Sequence, residues 1–342
     1  MKRYYYMDVL NIFSALAVVF LHSSEFAFTN NTGESWFLAT FIQCLFIWAV
    51  PVFFMLSGAN ILDYRQREGT KVFLQKRMRK IITPFLVWSL VWFVIKFRDF
   101  SFLQIETYGN FINGLVHGTI QPIFWFFYLI IGFYISAPLV SKITNVANKQ
   151  LVQYLLVVNF IFVEIWGYYC HLMNQPESAL TSGLSIGATG SIGYFIVGWY
   201  LKNYSLTTNQ KRIIYIGGFI SLILMYGLCC FLSLQRGNFQ REAYDIWGVF
   251  GFIWSISIFL LFQQRLIDWV PTARVQYLLK KIASTSLGVY VLHEFFILIF
   301  EKYLHLSSSS WVHMLIMPIF IWLFSVIVVI LMQAIPYVKR LV

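Results

Sequence analysis

The sequence predicts an all-α fold: a polytopic membrane bundle of about ten transmembrane helices with both termini in the cytoplasm. Three observations predict it. Hydrophobic residues make up 59% of the 342 positions and charged residues only 11%, well below the charged share of a soluble domain. Apolar runs long enough for a membrane helix of roughly 20 residues recur from end to end with short polar breaks. The cations are distributed one-sidedly: with the N-terminus placed inside, 20 of the 25 Lys and Arg fall on inside segments and 5 outside, as the positive-inside rule requires. The short breaks leave no space for an appended soluble domain, so residues 1–342 read as one integral-membrane domain.

The spans are expected at 7–28, 36–60, 81–97, 119–141, 150–170, 187–201, 212–235, 243–263, 284–304 and 311–335. The first follows Met1, Lys2 and Arg3 like a signal peptide, but Glu25 and Phe28 stand where a small-residue cleavage pattern belongs, so it is expected to be retained. It carries Asp8, Asn11 and His22. Asn11 and His22 are eleven residues apart, which at about 100° per residue returns them to nearly one helical face, with Asp8 within roughly 40°. A polar stripe some 21 Å long must face protein or water, because ionisable groups in lipid are costly and mark pathways, relays or reactions.

The second span ends near Asn60 and Asp63, the latter read as a helix cap or flank. KVFLQKRMRKIITPF (71–85) then sets Lys76, Arg77, Arg79 and Lys80 directly before the third span, with Pro84 just inside it. Two readings are open: contact with anionic lipid, or a phosphate clamp of cations and free amides at a helix N-terminus. The fourth span carries Trp125 and Tyr134, which suit a cavity lining or sugar stacking as well as interfacial packing. Glu164 in the fifth is a carboxylate that must find a partner or be neutral. Asp245 falls near the outer end of the eighth. In the ninth, Ser286, Tyr290 and His293 share a face by their spacings of four and three, Glu294 follows, and His293 sits at the depth of His22. His117, His171, His305 and His313 fall at or near the outer surface, where ordinary exposure explains them.

Several classes are excluded. The net charge of +11 is accounted for by orientation and anionic lipid, so no nucleic-acid partner is expected. Cys44, Cys170, Cys229 and Cys230 show no C-x-x-C pairing and read as buried thiols. No metal spacing, glycine-rich nucleotide loop, G-x-S-x-G elbow or internal repeat occurs, and no metal is expected.

Six segments, in order, carry a resemblance: YYYMDVLNIFSALAVVFLHSS, VPVFFMLSGANI, KRMRKIITPFLVWS, IFWFFYLIIGFYISAPLV, IGYFIVGWYL and TSLGVYVLHEFF. Together they resemble the integral-membrane acyltransferase 3 family of surface-polysaccharide O-acyltransferases over essentially the whole chain. SLQRGNFQREAYDIW, before the eighth span, adds a likeness to the enterobacterial common antigen O-acetyltransferase type. The resemblance implies a multi-pass protein of the bacterial inner membrane that moves an acyl group, usually acetyl, from cytoplasmic acetyl-CoA or another acyl-CoA to a hydroxyl of a lipid-linked or exported glycan. It implies His22 as the catalytic histidine and Arg77 and Lys80 as the family's basic pair. The family has arginine where Asn11 and Lys80 stand here. The esterase-like domain fused to some members is expected to be absent.

Residues and resemblance combine into one expectation. Acyl-CoA phosphates dock on Arg77, Arg79 and Lys80, and the donor arm runs along Asp8 and Asn11 to His22, which acts as general base or nucleophile. Tyr290 and His293 orient the acceptor or relay its proton, while Trp125, Tyr134 and Glu164 contact substrate. The alternative is a transporter or exporter of a polysaccharide or small polar solute, which tolerates the same buried polar groups.

Overall fold

A computed structural model describes residues 3–96, 105–173, 175 and 192–342. Every regular element among them is helical, the arrangement in which each backbone donor and acceptor is satisfied without water. Lys2, Arg98 and residues 187–191 of the expected sixth span lie outside the described residues.

Helix α1 (Tyr5–Ser23) has 19 residues, about 28 Å at 1.5 Å per residue, enough to cross a hydrocarbon layer. It stops where the Ser24 hydroxyl turns back onto the Phe20 carbonyl at 2.7 Å. A 3-10 turn, Glu25–Phe28, takes over, so the expected extension to residue 28 is a change of helix type. The second expected span is two helices, α2 (Glu34–Phe46) and α3 (Ala49–Ile61), broken at Ile47 and Trp48.

Helix α4 (Thr70–Lys96) corrects the reading of the basic segment. Lys, Arg, Gln, Leu and Met all favour helix, and the helix begins at Thr70 rather than beside Lys76. The backbone N–H groups of Lys76 to Lys80 therefore lie beyond the first turn, and only the side chains are left to hold an anion. Helix α5 (Ile105–His117), in the break between the third and fourth expected spans, is too short to span a membrane.

Next come α6 (Trp125–Ile143) and α7 (Lys149–Asn159), which passes through a π-helical segment, Phe160–Gly167, into α8 (Tyr168–Leu172). The rest are α9 (Ile192–Asn203), α10 (Thr208–Arg236), α11 (Val249–Leu266), α12 (Ala273–Ala283), α13 (Ser286–Leu304) and α14 (Met317–Gln333). Among the described residues, eight helical runs are long and apolar enough to cross a membrane, and nine if α12 and α13, bent by 55°, count as one. The expected ten therefore become eight or nine. The shortfall lies at α9, of which 12 residues are described, and at α13, which carries Glu294, Glu301 and Lys302 and reaches the length and apolarity of a span only together with α12.

Apolar side chains on all sides place α9 inside the bundle; Tyr194, Phe195 and Trp199 are fully buried. Its contact with α3 is backbone against backbone: a Cβ on Gly58 would sit 1.7 Å from the Phe195 carbonyl oxygen, and one on Gly198 would sit 1.9 Å from that of Met55. Small residues permit such approaches between membrane helices. Asp63 is no mere helix flank. It is buried, accepting from Lys202 Nζ at 2.9 Å and Trp199 Nε1 at 2.5 Å, and so joins the end of α3 to α9. Ile135 and Leu139 on α6, Ile213 and Phe219 on α10, and Phe320 and Ile327 on α14 point outward, as the lipid-facing surface of a multi-pass membrane protein must.

His117, His171 and His305 are exposed, as expected, but His313 is buried. Its Nδ1 lies 3.0 Å from the Ser23 carbonyl and its Nε2 lies 2.9 Å from Glu301. A π turn, Val312–Ile316, carries it inward, and 3.6-residue periodicity gives no sign of such a turn.

Candidate active site

Two cavities meet inside the bundle. The first, about 570 Å³, opens around the start of α1 and is lined by Arg3, Asp8, Asn11, Arg67, Arg77, Lys80, Tyr134, Lys202 and Ser286, among others. Two of its cations are answered by carboxylates: Arg3 holds Asp8 at 2.9 and 3.0 Å, and Lys202 holds Asp63. Arg67, Arg77 and Lys80 have no carboxylate partner among the described residues; Arg67 donates to the Asn60 carbonyl, and Arg77 lies against the Tyr134 hydroxyl. Three cations around one concave space make it electropositive, suited to a ligand carrying several negative charges.

The second cavity, about 360 Å³, lies at the other end of α1 and is lined by His22, Glu25, Gln43, Trp125, Arg241, Tyr244 and Asp245, among others. The turn after α1 brings Glu25 Oε1 to 2.8 Å from His22 Nδ1. A carboxylate can only accept, so Nδ1 carries a proton, and in the neutral imidazole Nε2 keeps its lone pair. His22 and Glu25 thus form a carboxylate-oriented histidine, the arrangement that fixes the tautomer of a general base.

Four side chains, Val18, Val50, Phe126 and Tyr290, line both cavities. They form the wall between them. Phe126 and Phe127 flank the Tyr290 ring at 5.2 and 5.5 Å, and the Tyr290 hydroxyl donates to the Ile123 carbonyl, so Tyr290 is held across the gap between α6 and α13. One turn further, the His293 ring lies 5.1 Å from that of His22, centroid to centroid. The two membrane-depth histidines therefore meet across the bundle.

The other expected site residues divide. Asp8 and Asn11 line the first cavity and His22 the second, with Val18 between them, so the polar stripe is interrupted. Asn11 donates to the Ala283 carbonyl at 3.3 Å and ties α1 to the bend before α13. Tyr134 and Trp125, both expected as cavity-lining or sugar-stacking groups, line different cavities. Arg79 is exposed, and Glu164 is fully buried; neither lines either cavity. Sequence reasoning did not single out Glu25 or Arg67. Glu25 carries a signal, three residues after His22 at a helix end, whereas Arg67 looks like any inside-loop cation.

The family model for the acyltransferase domain matches residues 4–335. No curated protein and no solved structure matches the chain.

Proposed function

Because this chain belongs to the acyltransferase 3 family, we propose that it is a membrane O-acyltransferase that moves an acyl group, most simply acetyl, from acyl-CoA to a glycan hydroxyl. The observation that carries the reading is the pairing of the two cavities: Arg67, Arg77 and Lys80, with no carboxylate partner among the described residues, in one, and a carboxylate-oriented His22 in the other, separated by one layer of side chains.

In this reading the first cavity opens to the cytoplasm of a bacterial inner membrane, the orientation that the charge bias favours. Arg77, Lys80 and Arg67 hold the phosphates of acyl-CoA, and the thioester reaches the wall at Tyr290. The acceptor, a hydroxyl of a lipid-linked or exported cell-envelope glycan, enters the second cavity, where Trp125 offers a stacking face. His22 Nε2 takes the hydroxyl proton as the oxygen attacks the thioester carbonyl. The carbon–sulfur bond breaks, and the CoA thiolate recovers that proton from His22. Glu25 stabilises the imidazolium formed between the two steps. Tyr290 and Phe126 position the acyl group at the wall.

Binding of acetyl-CoA to the detergent-purified protein tests the reading, with wild type compared against Arg77→Glu/Lys80→Glu. Saturable binding lost in the double variant supports it. Two cavities approaching from opposite ends also suit a transporter, and folded wild type that binds no acetyl-CoA would favour that second reading.

A further inference from the structure

Beside the wall lies a cluster that acyl transfer does not need in this form. His22, His293 and Glu294 each offer a ligand atom, and all three atoms lie within 4.8 Å of one another. The outer nitrogens of both imidazoles are committed. His22 Nδ1 faces Glu25 at 2.8 Å and His293 Nδ1 faces the Val289 carbonyl at 3.1 Å. Both partners accept, so both Nδ1 atoms carry protons, and in the neutral imidazoles both Nε2 atoms present lone pairs. His293 is fully buried, and its Nε2 has no hydrogen-bond partner among the described residues. A ring nitrogen of each histidine and a carboxylate oxygen of Glu294 therefore converge on one space. An imidazole fixed through its far N–H to an oxygen acceptor is also how proteins orient metal-ligating histidines.

We propose that His22, His293 and Glu294 bind a divalent transition-metal ion of the zinc class, with Glu25 and the Val289 carbonyl as the groups that orient the two imidazoles. Ligand atoms mutually within 4.8 Å lie no further than about 2.8 Å from a common centre, so shifts below 1 Å bring them to zinc bond lengths of about 2.0–2.2 Å. Two imidazoles and a carboxylate form a borderline nitrogen and oxygen set that suits Zn²⁺ and disfavours Ca²⁺ or Mg²⁺. Three protein ligands leave a fourth position open. No local metal-ligand spacing announces the site, because its ligands come from α1 and α13, far apart in the chain. Resting on the acyl-transfer reading, one consequence follows: a bound ion takes the His22 Nε2 lone pair, so occupancy turns transfer off.

The test is metal content and zinc titration of the full-length protein, purified through a histidine-free tag, stripped with chelator and checked for monodispersity. Expected are one saturable zinc per wild-type chain, loss of that zinc in His293→Ala, and affinity lowered at least tenfold in Glu294→Gln. Glu25→Gln lowers it by roughly 10-fold to 100-fold, as removal of an orienting partner does, and His117→Ala leaves it unchanged. Folded wild type that takes up no stoichiometric zinc overturns the proposal, as does equal uptake by His293→Ala. Cobalt gives a reading independent of any variant: a visible absorption band of low-coordinate Co²⁺ in wild type supports the site, and no band overturns it. Because metal uptake is measured without substrate, its failure is distinguishable from failure of the acyltransferase reading.

Discussion

Replacing Asp63 by asparagine should cost about 3 kcal/mol of stability. In the native bundle Lys202 is largely inside, with 11% of its side chain exposed against 7% for Asp63, and the ions are 2.9 Å apart. Asparagine keeps an oxygen for Trp199 Nε1 but removes the only carboxylate paired with Lys202 among the described residues. Breaking a buried pair from one side costs about 3–5 kcal/mol, because a buried charge is left without its counterion. The lower end applies: Lys202 Nζ retains the Ala59 carbonyl at 2.7 Å, and its wall of the first cavity gives the ammonium a route to water. Removing both charges in Asp63→Asn/Lys202→Met should restore most of the loss, since the desolvation cost disappears with the charge. Equilibrium unfolding in mixed detergent micelles, run as a double-mutant cycle, measures both quantities. An Asp63→Asn change within about 0.5 kcal/mol of wild type, the range of an ordinary surface substitution, would refute the buried-pair reasoning.

Four further outcomes are expected. His22→Ala should abolish acylation while the protein still inserts and elutes as wild type; normal acylation would remove His22 from the chemistry. Phe126→Ala opens the wall and should admit longer acyl donors, read as the ratio of kcat/KM for butyryl-CoA and acetyl-CoA; an unchanged ratio would place the acyl group elsewhere. Gly198→Ala must move the Met55 carbonyl by about 1.5 Å to restore ordinary contact from 1.9 Å, and no side-chain rotation can supply that. Overpacking costs about 1–3 kcal/mol, so a Gly198→Ala melting temperature equal to wild type would contradict the described α3–α9 approach. Glu164 is buried with both oxygens unpartnered among the described residues, so Glu164→Leu should stabilise by about 1–3 kcal/mol; a loss would mean that the carboxyl group has a bound partner.

Much of the bundle was legible because hydropathy and helix length are local properties. Helices α1, α6, α10, α11 and α14 coincide with the apolar runs that announce them, differing at their ends. The misses have non-local or sub-helical causes. Nothing in the 3.6-residue pattern distinguishes α2 and α3 from one span, because both sides of Ile47 and Trp48 are apolar. The π turn at Val312–Ile316 shifts register, and with it His313 moves inward. At the site, the facing of His22 and His293 follows from depth and face together, and the sequence contained both. Glu25 could have been read as the partner of His22 from its spacing alone. The separation of Asn11 from His22 could not, since Val18 divides them only because Val50, Phe126 and Tyr290 arrive from three other helices.

That one-residue-thick septum has an electrical consequence. Where water-filled cavities penetrate from both faces, the membrane voltage no longer falls evenly across about 30 Å of hydrocarbon. It falls chiefly across Val18, Val50, Phe126 and Tyr290. Carrying a unit charge through the full potential costs or yields about 2.3 kcal/mol per 100 mV, so any ion forced through this layer would do nearly all its electrical work within one side-chain diameter. In the proposed reaction an uncharged acyl group crossing the same layer would do none, and the donor's phosphates would stay on the side where they bound.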